Sequence, residues 1–313
     1  QGKLAPLGGS AVHEVTSVGA ISFIGVGNMG GAMARRLLSL GWPVQVCDVD
    51  PAKTRDLEQY GAVALANPGL AAINSVVTIV CVVDAVQTAE GLFGNAGLAS
   101  AAVLGHTVML CPTLAPQDVE SFAQRLYAQG IHTIDAPMSG GPVRALEGSM
   151  SLMVACAEHV LVRHRPLLDA LSSRVFRISE RVGDGARTKL VNNLLAGINL
   201  VGAAEVMVMA QKLGLNLQRT LEVIGQSSGQ SWIGTDRMAR ALAGDVAPRA
   251  HMTLLQKDTR LAVQAAVDAG FAGPLGAAAR DVFAQASAGG LADLDDAALF
   301  EWLGGVAQRM RNT

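Results

Sequence analysis

Through the first 180 residues, short apolar runs rich in β-branched side chains alternate with stretches of helical spacing. Residues 21–24, 44–47, 76–83, 107–110, 131–136, 150–155 and 175–179 read as strands. The run at 76–83 is apolar almost throughout, as suits a parallel strand covered on both faces. Between the strands, Met33, Leu37 and Leu38 share one helical face. Residues 51–60, with Pro51 in the first turn, and residues 115–129 also read as helices. Strand–helix alternation of this kind predicts a doubly wound α/β sheet.

From Arg181 onward the period changes to that of helices alone. Residues 186–213 keep helical spacing for seven turns or more, long for a globular helix. Further helices are predicted at 217–224, 232–242, 253–269, 275–286 and 296–310, most of them separated by Gly or Pro. The chain therefore divides into an α/β domain at 19–181 and an all-α domain at 182–313. Residues 1–18, rich in Gly, Ser and other small residues, read as a disordered extension or a cloning remnant.

One strand–turn–helix junction carries a recognisable chemistry. The run ending at Ile24 enters Gly25-Val26-Gly27-Asn28-Met29-Gly30, and the next strand ends on Asp48. Gly25 permits a tight turn, Gly27 lets a pyrophosphate approach the backbone, and Gly30 lets helix pack on strand. The helix N-terminus, at Asn28 and Met29, offers free N–H groups to a phosphate. Asp48 lies where an acid would bind ribose hydroxyls, so the first domain reads as a dinucleotide-binding (Rossmann) domain.

Composition narrows the function further. Half of the 313 residues are hydrophobic and only 16% are charged, which points to a buried subunit interface and hence a homodimer or homotetramer. A net charge of −2 provides no basic field for nucleic acid and no polybasic membrane patch. The most apolar stretch, 194–215, is interrupted by Asn199, Glu205, Gln211 and Lys212 and reads as a buried helix rather than a membrane span. Cys47, Cys81, Cys111 and Cys156 are scattered at strand ends, as buried reduced thiols of a cytoplasmic protein would be. No cluster of His, Cys and carboxylates has metal-ligand spacing.

Two further segments attract attention. In Asp135-Ala136-Pro137-Met138-Ser139-Gly140-Gly141-Pro142, a hydroxyl beside two glycines could present several N–H groups to a carboxylate, although the bare pattern also fits a simple loop. At the start of the long helix, Lys189 and Asn193 are four apart and share a face. The apolar Leu190-Val191 and Leu194-Leu195 around them argue against full exposure, and desolvation lowers a lysine pKa toward the range useful for proton exchange. Lys257-Asp258, taken alone, reads as a surface charge pair.

These pieces, in this order, resemble the β-hydroxyacid dehydrogenase family over nearly the whole chain. The resemblance implies hydride transfer between NAD and a short hydroxy acid of the 3-hydroxyisobutyrate, glycerate/tartronate semialdehyde or threonate type. It implies that the glycine turn, Asp48, Val82, Val83, Thr113 and Lys257 contact NAD, with NADP less favoured. It assigns Ser139, Gly140, Gly141 and Asn193 to the substrate and Lys189 to acid/base catalysis. The stretch Ser227-Ser228-Gly229-Gln230-Ser231-Trp232 is similar to the threonate-type members. This chain departs from the family pattern at Val82-Val83, Asp84, Pro112 and Ala250, positions that bear on pocket detail. Two other readings stand beside this one: an imine reductase on the same scaffold, which Lys189 argues against, and a non-catalytic nucleotide-binding regulatory protein.

Overall fold

The computed structural model describes residues 19–309 apart from 102 and 246. The expected extension at 1–18 lies outside the described residues. β1 (Ala20–Ile24) enters α1 (Asn28–Ser39), followed by β2 (Val44–Cys47), α2 (Pro51–Glu58) and the short β3 (Val63–Ala64). β4 (Ser75–Val80) leads to α3 (Ala85–Phe93), and β5 (Thr107–Leu110) to α4 (Pro116–Tyr127). β6 (His132–Asp135) runs into β7 (Met138–Ser139) and α5 (Gly141–Glu147), then β8 (Met150–Ala155), α6 (Glu158–Leu171) and β9 (Ser172–Ser179). The remainder is helical: α7 (Asp184–Lys212), α8 (Leu217–Gly225), α9 (Trp232–Leu242), α10 (Met252–Asp268), α11 (Pro274–Ala286) and α12 (Leu299–Arg309).

The strands form one sheet in the order β3-β2-β1-β4-β5-β6-β8-β7, with β9 also pairing β8, in parallel. All pairings from β3 to β6 are parallel, whereas β8 runs antiparallel to β6 and β7. The predicted doubly wound sheet is thus extended by an antiparallel portion. The strand order reverses between β1 and β4, and ligands of open α/β sheets bind outside the carboxyl ends of the strands at such a point. One core packs Phe23, Met33, Leu37, Ile79 and Leu152 beneath α1 and α6. A second, around Val80, Leu110, Phe122 and Leu126, fills the opposite face. The helices enclose a third around Leu200, Met207, Met252 and Phe283. Each such side chain withdrawn from water contributes roughly 1.5–3 kcal/mol before the entropy of ordering is set against it.

Three helices escaped the sequence pattern. α3 follows directly on the β-branched run, α5 has seven residues, and α6 carries Pro166 in its interior. β4 ends at Val80 rather than Val83, because Val82 and Val83 leave the sheet to form the turn into α3. The long helix α7 is not the buried helix its apolar length suggests. Gly197, Leu200, Ala204 and Met207 face the core, while Val191, Leu195, Val206 and Met209 are exposed. Only 33% of its most apolar 18-residue window is buried.

Candidate active site

The glycine turn has the geometry its sequence requires. Gly25 sits at φ +88, where side-chain-bearing residues are strained, and a Cβ there would lie 2.6 Å from the Cys81 carbonyl oxygen. A Cβ on Gly30 would run into the carbonyl oxygen of Gly25, so α1 can approach β1 only with glycine at 30. Gly27 has nothing within 4 Å of where its Cβ would stand, which leaves open space beside the backbone. No side chain caps α1 and no acidic residue lies in its first turn, where Asn28, Met29 and Gly30 sit. The uncapped N–H groups and the helix dipole fit a phosphate. Asp48 Oδ2 accepts the Val26 N–H at 2.9 Å and Oδ1 the Asp50 N–H at 2.9 Å, fixing the acid between the turn and the end of β2. Val49 beside it is fully exposed. On the outer side of α1, Gly27, Asn28, Arg35, Lys53 and Val143 help line a hollow of about 570 Å³. The residues present therefore fit a dinucleotide.

Further along the carboxyl edge, Lys257 on α10 gathers two loops. Its Nζ donates to the carbonyl oxygens of Val83 at 3.1 Å and Thr113 at 3.2 Å. Asp84 caps α3 by accepting the Gln87 N–H at 2.9 Å, which fixes the turn that carries Val82 and Val83. The structure thus brings Val82, Val83, Thr113 and Lys257 to one place beyond the ends of β4 and β5, though it is the Thr113 carbonyl rather than its hydroxyl that is engaged.

The second half of the site is built where β6 and β7 meet α7. Gly140 and Gly141 adopt φ +135 and +68, and Ser139 ends β7 immediately before them. Both glycines are exposed and Ser139 is half-buried. Lys189 reaches across from α7, its Nζ donating to the Met138 carbonyl at 2.8 Å. One helical turn on, Asn193 Nδ2 donates to Asp258 Oδ2 at 2.6 Å. Asp258 Oδ1 is buried without a hydrogen-bond partner, 4.0 Å from Lys257 Nζ.

The electrostatics follow from this crowding. Burial of the Lys189 amine lowers its pKa, opposed by the Asp258 carboxylate and reinforced by Lys257. Burial raises the pKa of Asp258, opposed by Lys257, Asn193 and Lys189. The arrangement places a poorly hydrated amine beside a glycine-rich turn, with a buried carboxylate one turn away. Such an amine can hold or release a proton at a nearby hydroxyl.

Asp258 is not the surface residue its pairing with Lys257 suggested, since it lies on the inward stripe Leu255, Asp258, Thr259 and Ala262. That helical spacing was the available signal. The Met138 carbonyl had none, because a backbone acceptor leaves no trace in side-chain chemistry. Asp135, at the end of β6, is also buried and bonded to α7.

Residues 20–179 match the family described as the NAD binding domain of 6-phosphogluconate dehydrogenase. Residues 183–303 match the NAD-binding family of NADP-dependent 3-hydroxyisobutyrate dehydrogenase. The chain is similar to an L-threonate dehydrogenase of Haemophilus influenzae, with 32% identity over 92% of this chain and 96% of that protein. A 3-hydroxyisobutyrate dehydrogenase from Salmonella typhimurium has a similar structure, with a TM-score of 0.82, 33% identity and coverage of 90% of this chain and 99% of that one. A protein solved in complex with NADP+ and 2-OPP superposes with a TM-score of 0.83 at 28% identity, over 91% of this chain and 100% of that one.

Proposed function

This chain belongs to the β-hydroxyacid dehydrogenase family, NAD(P)-dependent oxidoreductases acting on the CH–OH group of hydroxy acids, and from that premise we propose a residue-level mechanism and a substrate type. The observation that carries it is the 2.8 Å contact of Lys189 Nζ with the Met138 carbonyl, which holds the amine beside Ser139, Gly140 and Gly141. In this reading the N–H groups of that turn and the Ser139 hydroxyl hold the substrate carboxylate. Bound NAD(P) supplies the hydride acceptor for oxidation of the alcohol carbon. Lys189 Nζ takes the hydroxyl proton as the alcohol becomes a carbonyl and returns it in the reverse reaction. Its lowered pKa increases the fraction of neutral amine able to do so.

The glycine turn, with Asn28 and Met29, would hold the pyrophosphate, and Asp48 the ribose hydroxyls. Asp48, followed by exposed Val49 rather than an arginine, favours NAD over NADP. Val82, Val83, Thr113 and Lys257 would line the rest of the cofactor edge. Asn193 would contact the substrate. The similarity to an L-threonate dehydrogenase favours a polyhydroxy acid of the threonate type. NAD⁺ reduction measured with threonate, glycerate and 3-hydroxyisobutyrate tests this. The reading expects threonate to have the highest kcat/KM, and no turnover of any of the three would overturn it.

The exposed apolar residues of α7, together with Val223, Phe271 and Leu275, support a second copy of the chain as their cover. All four cysteines are free, which supports a reducing, cytoplasmic setting. Sedimentation at several concentrations tests the first point. A dimer or tetramer is expected, and a monomer at every concentration would contradict it.

A further inference from the structure

β6 and α7 are joined by one carboxylate. Asp135 Oδ2 accepts the N–H of Gly183 at 2.8 Å and of Ala186 at 3.1 Å. The first N–H groups of a helix have no intrahelical partner, and Gly183, at the N-cap of α7 with φ +106, has no side chain to satisfy them. The cap comes instead from a strand end 48 residues earlier. The fit is close, because a Cβ on Gly185 would lie 2.7 Å from the Met153 carbonyl oxygen and 2.9 Å from Asp135 Cγ.

Asp135 is 1% exposed and forms no ion pair among the described residues. Arg181 and Arg187 nearby are taken by Glu120 and Asp184. Burial pushes the Asp135 carboxyl up to about 6, against the lowering by the N–H groups of Ala186, Gly183 and Gly185. A buried acid kept without a cation needs a task, and here the task is geometric. Three residues after Asp135, the Met138 carbonyl accepts Lys189 Nζ. The segment from Asp135 to Met138 therefore grips α7 at two heights, at its first-turn backbone and at the lysine one turn on.

We propose that Asp135 is a positioning residue for the reaction. By capping α7 from the end of β6, it fixes the depth and rotation at which Lys189 meets the Ser139-Gly140-Gly141 turn. A displacement of about 1 Å at a reacting group can cost about 10²-fold in rate, so a cap at this place acts on turnover as well as on stability. The inference rests on Lys189 being the proton-transfer residue.

A double-mutant cycle of Asp135→Asn and Lys189→Ala tests it, with kcat and KM measured for the hydroxy acid, cofactor affinity by calorimetry and melting by circular dichroism. Asp135→Asn alone should lower kcat by about tenfold or more, with KM and cofactor affinity within about threefold of wild type. In the Lys189→Ala background the same change should alter kcat by less than about threefold, because the group it positions is gone. Gly185→Ala, whose methyl would press on the Met153 carbonyl and the Asp135 carboxyl and so force the same helix turn away while keeping the acid, should reproduce the kcat-selective loss and serves if Asp135→Asn does not fold. The proposal is overturned if the two effects multiply in the cycle, if the loss falls on KM, or if Asp135→Asn and Gly185→Ala both keep wild-type kcat. High residual activity in Lys189→Ala alone would instead remove the lysine assignment, a separate outcome.

Discussion

Asn193 donates a 2.6 Å hydrogen bond to Asp258, joining α7 to α10 one turn from the Lys189 amine. The contact fixes one carboxylate oxygen and leaves the other buried without a hydrogen bond, 4.0 Å from Lys257 Nζ. It also brings a negative charge near an amine that burial is pushing toward neutrality.

A pH dependence follows with a definite sign. Asp258 stabilises the ammonium form of Lys189, so removing its charge lowers the lysine pKa further. Oxidation of the hydroxy acid needs the neutral amine and therefore rises with pH through that pKa. Asp258→Asn should move this rise in the kcat–pH profile to lower pH. A shift to higher pH would show that Asp258 does not act on Lys189 in this way.

The glycine turn predicts a selective loss of cofactor binding. Gly30→Ala places a methyl against the Gly25 carbonyl and must push α1 away from β1. Cofactor affinity measured by calorimetry should fall by about tenfold or more, equivalent to roughly 1.4 kcal/mol. Unchanged affinity would mean that the turn is not where the pyrophosphate lies.

The role proposed for Asp48 predicts a cofactor preference. A 2′-phosphate would meet its carboxylate, so kcat/KM should be higher with NAD than with NADP. Asp48→Asn should narrow the ratio, since the amide is uncharged. A roughly tenfold preference of the wild type for NADP would contradict the role given to Asp48.

At the amino ends of the strands, two buried histidines make stability depend on pH. His106 pairs with Thr78 and His164 with Thr107, and burial lowers both to about 4. Arg163 further disfavours the charged form of each, and His132 adds to this at His164. Because the unfolded state has the higher pKa, near 6.5, it binds more protons between pH 6.5 and 4. Stability is therefore lost as pH falls through that window, by about 2 kcal/mol per histidine at pH 5. The raised carboxyls of Asp135 and Asp296 act in the opposite sense over the same window, so the histidine contribution is read as a difference. Urea unfolding at pH 7 and pH 5 should show a more negative change in wild type than in His164→Gln. Equal acid sensitivity of wild type and variant would contradict it.

Much of this was legible in the sequence, for a physical reason. The strands β1, β2, β5 and β8 are set by local apolar runs, and Gly25, Gly27 and Gly30 by backbone needs that only glycine meets. Lys189 and Asn193 were found because four-residue spacing fixes a shared face whatever surrounds the helix. The roles of Asp135 and the Met138 carbonyl leave no local trace, since each depends on a partner 48 or more residues away in the chain. The burial of Asp258 is signalled only by its helical spacing with Leu255, Thr259 and Ala262. The outer face of α7 was misjudged because apolar length alone does not distinguish a helix buried all round from one covered on a single side.

The central claim is that Lys189 transfers the proton, and the most direct measurement is kcat of Lys189→Ala at saturating substrate, with cofactor affinity determined alongside. Apart from Lys257, the residues proposed to contact the cofactor lie in the other domain, so affinity should be nearly unchanged while kcat falls by about 10²- to 10⁴-fold. Lys189→Arg should not restore it fully, because a guanidinium does not give up its proton at working pH. If Lys189→Ala kept more than about a tenth of wild-type kcat, proton transfer would belong to another group and the mechanism would be wrong.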